Sequence, residues 1–256
     1  MTISIKTKEE IELLREGGKR LGTILKKVGE SVRPGIRTSE LEAIAISEIE
    51  KLGDKPAFKG YTPEGASYPY PTALCVSINE EIVHGIPSED RILEEGDIVT
   101  IDLGLNHSGM FTDHAVTLPV GKVSSEKIDL LRKTKECLDS AIMEVKPGAH
   151  IGDIGAAVEE CIKGTSYKIV KDLAGHGVGY SVHEDPYVPN EGKRGTGPEL
   201  TPGMVIAIEP MLSLGSPQIS LLEDDYTLST QDGSLSAHFE HTVVVTDDGV
   251  EVLTEV

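Results

Sequence analysis

A ten-residue pattern occurs twice in this chain, and it restricts the chain to folds built from two like halves. Leu93–Asp102 reads LEEGDIVTID and Leu200–Glu209 reads LTPGMVIAIE. Each runs Leu, two residues, Gly, one residue, two β-branched residues, one residue, Ile and then an acid. A buried β-rich run does not normally finish on a carboxylate, because burying that charge is costly unless it is paired or bound to metal. Two such endings predict two related halves, each delivering an acid to a shared site.

The flanking sequence repeats in the same order. Thr7 to Glu10 fits a Thr-x-x-Glu capping box, and Ile11, Leu14, Leu21, Leu25 and Val28 follow at helical spacing. Val32-Arg33-Pro34-Gly35 breaks that helix, and Thr38 opens a second one carrying Leu41, Ile44 and Ile49. Further on, Ile128, Leu131, Leu138 and Ile142 mark a helix, Val145-Lys146-Pro147-Gly148 ends it, and Ile154, Val158 and Ile162 mark the next. Each acid-ended strand is followed by another strand led by an acid and a histidine, DHAVTLPV from Asp113 and EHTVVVTD from Glu240. The duplication predicts an α+β chain forming one domain over residues 1–256, with halves of about 1–121 and 122–256. Strand alternation places Asp113 and Glu240 on one face, and His114 and His241 on the other in a supporting role.

Charge and composition exclude several partners. With 43 acidic against 24 basic residues and a net charge of -19, the chain lacks the basic surface that a nucleic-acid backbone requires. Cys75, Cys137 and Cys161 have no CxxC spacing, as expected of reduced thiols. The opening MTISIKTKEE has no apolar stretch of the signal-peptide kind, and no run approaches membrane-spanning length. The expectation is a cytoplasmic protein with no membrane partner.

Asp102, Asp113, Glu209 and Glu240 then carry the chemistry. Four converging anions repel one another strongly, and two divalent cations would offset their charge. In GHGVGYSVHEDP, glycines surround His176 and let backbone approach a crowded centre, which suits an imidazole ligand. His84 in VHGIP and His183 in VHEDP sit in matching His-x-x-Pro loops ahead of the acid-ended strands, as candidate substrate-facing proton donors. His107, His150 and His238 receive no role.

The set INEEIVHGIP, VTIDLGL, FTDHAVT, GHGVGYSVHEDP, AIEPM and FEHTVVVT resembles the methionine aminopeptidases of the pita-bread fold, in order and spacing, over nearly the entire chain. The resemblance implies the pita-bread (creatinase/aminopeptidase) fold, two pseudo-two-fold related halves with a curved antiparallel β-sheet covered by helices. It implies that Asp102 chelates one metal, that His176 and Glu209 complete the other, and that Asp113 and Glu240 bridge both. Glu209 would also take the proton of the attacking water, His183 would stabilise the oxyanion, and His84 would stand near the leaving nitrogen. Tyr70 and Cys75 match the family's methionine pocket. Val182 stands where an aromatic often precedes the second histidine, Tyr226 where a Trp is common, and the stretch 62–69 is longer than usual. Too little sequence precedes His84 for the extra domain of prolidases, and the interval from Glu209 to Glu240 is too short for the insert of type II enzymes, which leaves type I. The implied partners are nascent polypeptide N-termini at the ribosome, acted on by a monomer, with Co, Mn, Fe(II) or Zn as the metal pair. An aminopeptidase with another first-residue preference, an X-Pro peptidase and a non-catalytic pita-bread binding protein are the competing readings.

Overall fold

The structure, a computed structural model, describes residues 3–63 and 65–256; Met1, Thr2 and Glu64, the last within the 62–69 stretch, lie outside the described residues. Helix α1 spans Lys8–Glu30 and starts at the capping box foreseen, with Thr7 accepting from the Glu10 N–H and Glu10 from the Thr7 N–H. Helices α2 (Thr38–Leu52), α3 (Ser125–Met143) and α4 (Ile151–Ile162) also follow the apolar periodicity. One residue departs from it: Ile128 is 47% exposed, and Leu130 is the buried residue in that turn of α3.

Between the helix pairs lies a nine-stranded antiparallel sheet. Its central order is Leu74–Ile78, Ile98–His107, Met110–Pro119, Glu240–Val245, Val205–Ile208, Ala174–Gly177 and Glu184–Pro189. The strands bearing Asp113 and Glu240 meet in the middle, with His114 opposite His241. Those of Asp102 and Glu209 flank them, one on each side. Leu21, Leu25, Leu41 and Ile49 of α1 and α2 share one core with Val76, Ile101 and Leu103, while Leu138, Ile154 and Val158 of α3 and α4 share another with Ile206, Ile208 and Val243. Each helix pair thus covers its own end of the sheet.

The two halves differ in one respect that the repeat conceals. Val205–Ile208 stops at Glu209, as expected, but the strand of Asp102 runs five residues past it to His107. It continues because Ser108 and Gly109, both at positive φ, form a two-residue hairpin turn that pairs His107 with Met110. Asp102 and Asp113 therefore sit within long strands and not at strand ends, Asp102 paired on both sides and Asp113 paired to Gly104 on one side with its N–H bonded to the Thr242 hydroxyl on the other.

On the helix side of the sheet His114 and His241 stack at 4.5 Å, 12° from parallel, and line a cavity with Gly22 and Leu25 of α1 and Leu138 of α3. Close packing of α1 depends on its glycines. A Cβ at Gly18 would come within 2.3 Å of the Leu253 carbonyl oxygen. Helix propensity alone favours Gly→Ala by about 1 kcal/mol. Because backbone is the obstacle here, we expect Gly18→Ala to lower stability by about 1–3 kcal/mol instead. Urea unfolding checks the sign.

Candidate metal centre

The four acids foreseen from the repeat converge on one cavity. Asp102, Asp113, Glu209 and Glu240 are all buried, with Glu240 only 2% exposed. Desolvation pushes Asp102 up to about 7. It pushes Asp113, Glu209 and Glu240 well above the carboxyl range, and repulsion from neighbouring acids adds to all three. Few protein groups answer this charge. Thr242 Oγ1 accepts from the Asp113 N–H at 2.9 Å, the His114 N–H donates to Asp113 Oδ1 at 3.0 Å, and Asn190 Nδ2 donates to the Glu209 carbonyl at 3.0 Å. Asp102 Oδ1 and Glu240 Oε1 have no hydrogen-bond partner among the described residues. Buried carboxylate oxygens without donors are the acceptors a divalent cation satisfies, so this site fits metal.

His176 completes the cluster. Its strand lies beside that of Glu209, pairing His176 with Ala207, and one ligand atom each from Asp113, His176 and Glu240 fall within 4.8 Å of one another. His176 Nε2 is 3.5 Å from Glu209 Oε1. Its Nδ1–H donates to the Gly177 carbonyl at 2.9 Å, which leaves Nε2 with a free lone pair facing the acids. Burial pushes His176 down to about 3, so the ring is neutral, the form that ligates.

His84 and His183 line the same cavity. His84, at φ 60°, is held in a left-handed backbone conformation, and burial pushes its pKa down to about 4. His183 packs edge-on against His176 at 4.4 Å and bonds through Nδ1 to the Tyr61 hydroxyl at 2.9 Å. Beside them stands an apolar wall that includes Tyr70, Cys75 and Tyr226. Val182 is buried in that same apolar cluster, 4% exposed. Tyr226 meets Tyr68 and Tyr70 edge-on, and its hydroxyl donates to the Tyr68 carbonyl while the Tyr68 hydroxyl donates to the Asp224 carbonyl. The long 62–69 stretch is thereby tied to the loop of Tyr226.

Five residues that line the cavity received no site role from the sequence: Phe58, Tyr61, Pro63, Val83 and His238. Phe58 and Tyr61 lie in irregular chain, where no periodicity reports direction. His238 ends the short strand Ser236–His238 of a separate three-stranded sheet, and the strand breaks at Phe239 before Glu240 opens its own, so alternation along one strand does not report its direction.

Residues 12–247 match metallopeptidase family M24, in keeping with the class that the fold and the carboxylate–imidazole cluster define, a metal-dependent peptidase. The chain is 46% identical to a methionine aminopeptidase of Aquifex aeolicus, with both proteins covered over their full lengths. It is 41% identical to methionine aminopeptidase 1 of Bacillus subtilis, over 99% of this chain and all of that one. The crystal structure of a methionine aminopeptidase from Thermotoga maritima superposes with a TM-score of 0.95 at 42% identity, over 100% of both chains. The chain therefore belongs to the M24 metallopeptidases and, among them, to the methionine aminopeptidases with their pita-bread fold.

The buried acids set a pH dependence for the metal-free protein. A carboxyl with a folded pKa above its unfolded one stabilises fully below the unfolded value and loses that contribution as pH rises through the folded value. Neutral buried histidines act oppositely: His84 and His176 contribute fully above the ordinary 6.5 and lose that contribution as pH falls towards about 4 and about 3. Above pH 6.5 only the carboxyls change. In chelator, the melting temperature is expected to fall as pH rises through about 7, and added divalent cation to remove that fall. A flat profile in chelator would contradict this account.

Proposed function

We propose that this protein hydrolyses the first peptide bond of nascent proteins and peptides to release their N-terminal methionine. The observation that carries the reading is one cavity lined both by four buried carboxylates and a neutral imidazole and by the apolar cluster residues Phe58, Tyr70, Cys75 and Tyr226. Asp102, Asp113, His176, Glu209 and Glu240 would hold two divalent cations, with Asp113 and Glu240 shared between them. Such a pair, once bound, lowers the pKa of water and polarises a carbonyl. An oxygen-rich donor set with one imidazole suits Co, Mn, Fe(II) or Zn.

The chain's own groups supply the remaining steps. Glu209 accepts the proton of the attacking water. The Tyr61 hydroxyl donates to His183 Nδ1, so that His183 Nε2–H points to the carbonyl oxygen on which charge develops. His84, neutral and lining the same cavity, would stand near the leaving nitrogen. Tyr70, Cys75 and Tyr226 bound the space for a flexible thioether side chain, a group that adapts well to an apolar pocket, and Val182 packs in the same apolar cluster without lining the cavity. The substrates are new polypeptide N-termini emerging at the ribosome, in the cytoplasm, met by a monomer. The catalytic unit is one domain whose halves join near residues 121 and 122.

Release of methionine from Met-Ala peptides, against Leu- and Xaa-Pro-peptides, tests the substrate directly; faster cleavage of either alternative would sink the reading. Chelation is expected to abolish activity, and Asp113→Ala or Glu240→Ala to lower kcat/KM by at least about 10³-fold with loss of one metal per chain by elemental analysis. Tyr61→Phe removes one hydrogen bond, and kcat should fall about ten-fold with little change in KM.

A further inference from the structure

His238 presents a problem that its neighbours solve. The residue is 1% exposed, yet neither ring nitrogen has a hydrogen-bond partner among the described residues. Its backbone, by contrast, is clamped: the His238 N–H donates to Thr117 Oγ1 at 2.9 Å, and the Thr117 hydroxyl donates to the His238 carbonyl at 2.7 Å. The ring is thus held from the centre of the sheet and lines the cavity of the acids. Its Nε2 lies 3.5 Å from Glu209 Oε2. Glu209 Oε1, the other oxygen, lies 3.5 Å from His176 Nε2. The two oxygens of one carboxylate are therefore divided between two imidazoles.

We infer that His238 is a positioning residue for Glu209: it donates Nε2–H to Oε2 and so turns Oε1 toward the metal that His176 shares. The inference rests on the metal reading given above. An imidazole always carries at least one N–H, and a cation on Oε1 leaves Oε2 as the oxygen with a free lone pair. Closing the gap to a charge-assisted hydrogen bond takes a shift of about 0.6–0.8 Å, within reach of a side-chain torsion at Glu209. Partners of this kind fix the orientation of a ligating carboxylate, and their loss typically costs 10–100-fold in metal affinity.

Calorimetric titration of the metal-free chain with Mn(II) or Co(II) tests the assignment without using activity. Wild type is expected to show two binding steps; absence of binding there would overturn the metal reading itself, separately from the role of His238. His238→Ala should weaken one of the two steps by about 10–100-fold and leave the other nearly unchanged. His238→Gln, whose amide can donate to the same oxygen, should retain affinity close to wild type, and circular dichroism shows that both variants are folded. Unchanged affinity in His238→Ala would overturn the proposal, as would equal losses in both variants, which would indicate packing. The Co(II) absorption spectrum of His238→Gln should match wild type; a changed ligand-field band would make His238 a ligand and overturn the positioning role.

Discussion

Four carboxylates buried around one point are the constraint on which the rest of this structure depends. Taken from water without counter-charge, each would be driven to its neutral form, and burial already raises Asp102 to about 7 and pushes the other three well above the carboxyl range. The same low-dielectric setting that penalises the anions strengthens their attraction for cations. The sheet keeps the four in place at this cost. Asp113 is locked by Thr242 from the adjacent strand, and Glu209 by Asn190 through its carbonyl. Two apolar cores press from the helix side.

Pseudo-symmetry accounts for how the acids were brought together, and its breakdown accounts for the division of labour around them. On the second half, the strand beside Glu209 contributes His176, a nitrogen ligand. On the first half, the strand beside Asp102 contributes Cys75, opposite Asp102 in register, with a thiol pushed up by burial. Cys75 then continues into the aromatic wall of Tyr70 and Tyr226. The cavity thus joins ligating side chains to an apolar cluster, with Cys75 paired directly to Asp102.

Local periodicity explains why so much was legible beforehand. Helices α1 to α4 announce themselves through caps, Pro-Gly breaks and apolar spacing, and the strands through their acid-ended repeat. The opposite faces of Asp113 and His114 follow from alternation alone, and the stacked histidine pair behind the acids agrees. Where the reading departed from the structure, a longer-range effect intervened. Asp102 was read as a strand end because the repeat matches Glu209, whereas the Ser108-Gly109 hairpin extends the strand past it. Ile128 fits the helical stripe, but the sheet beneath α3 meets Leu130 and Leu131 instead. Tyr61 reaches His183 across 122 positions of sequence, through irregular chain that has no period to read.

By itself, the sequence determined the inventory: two like halves, four acids in repeated frames, one unmatched histidine between glycines, and a net charge of -19. Those features are carried by residue type and spacing, which survive without knowledge of the fold. Only the tertiary structure decided which side chains share the cavity. It placed His238 against Glu209, joined the 62–69 stretch to Tyr226, and left Asp102 Oδ1 and Glu240 Oε1 without donors. The physical reason is that desolvation, hydrogen-bond satisfaction and wall shape belong to the packed site, where residues far apart in sequence exclude water together.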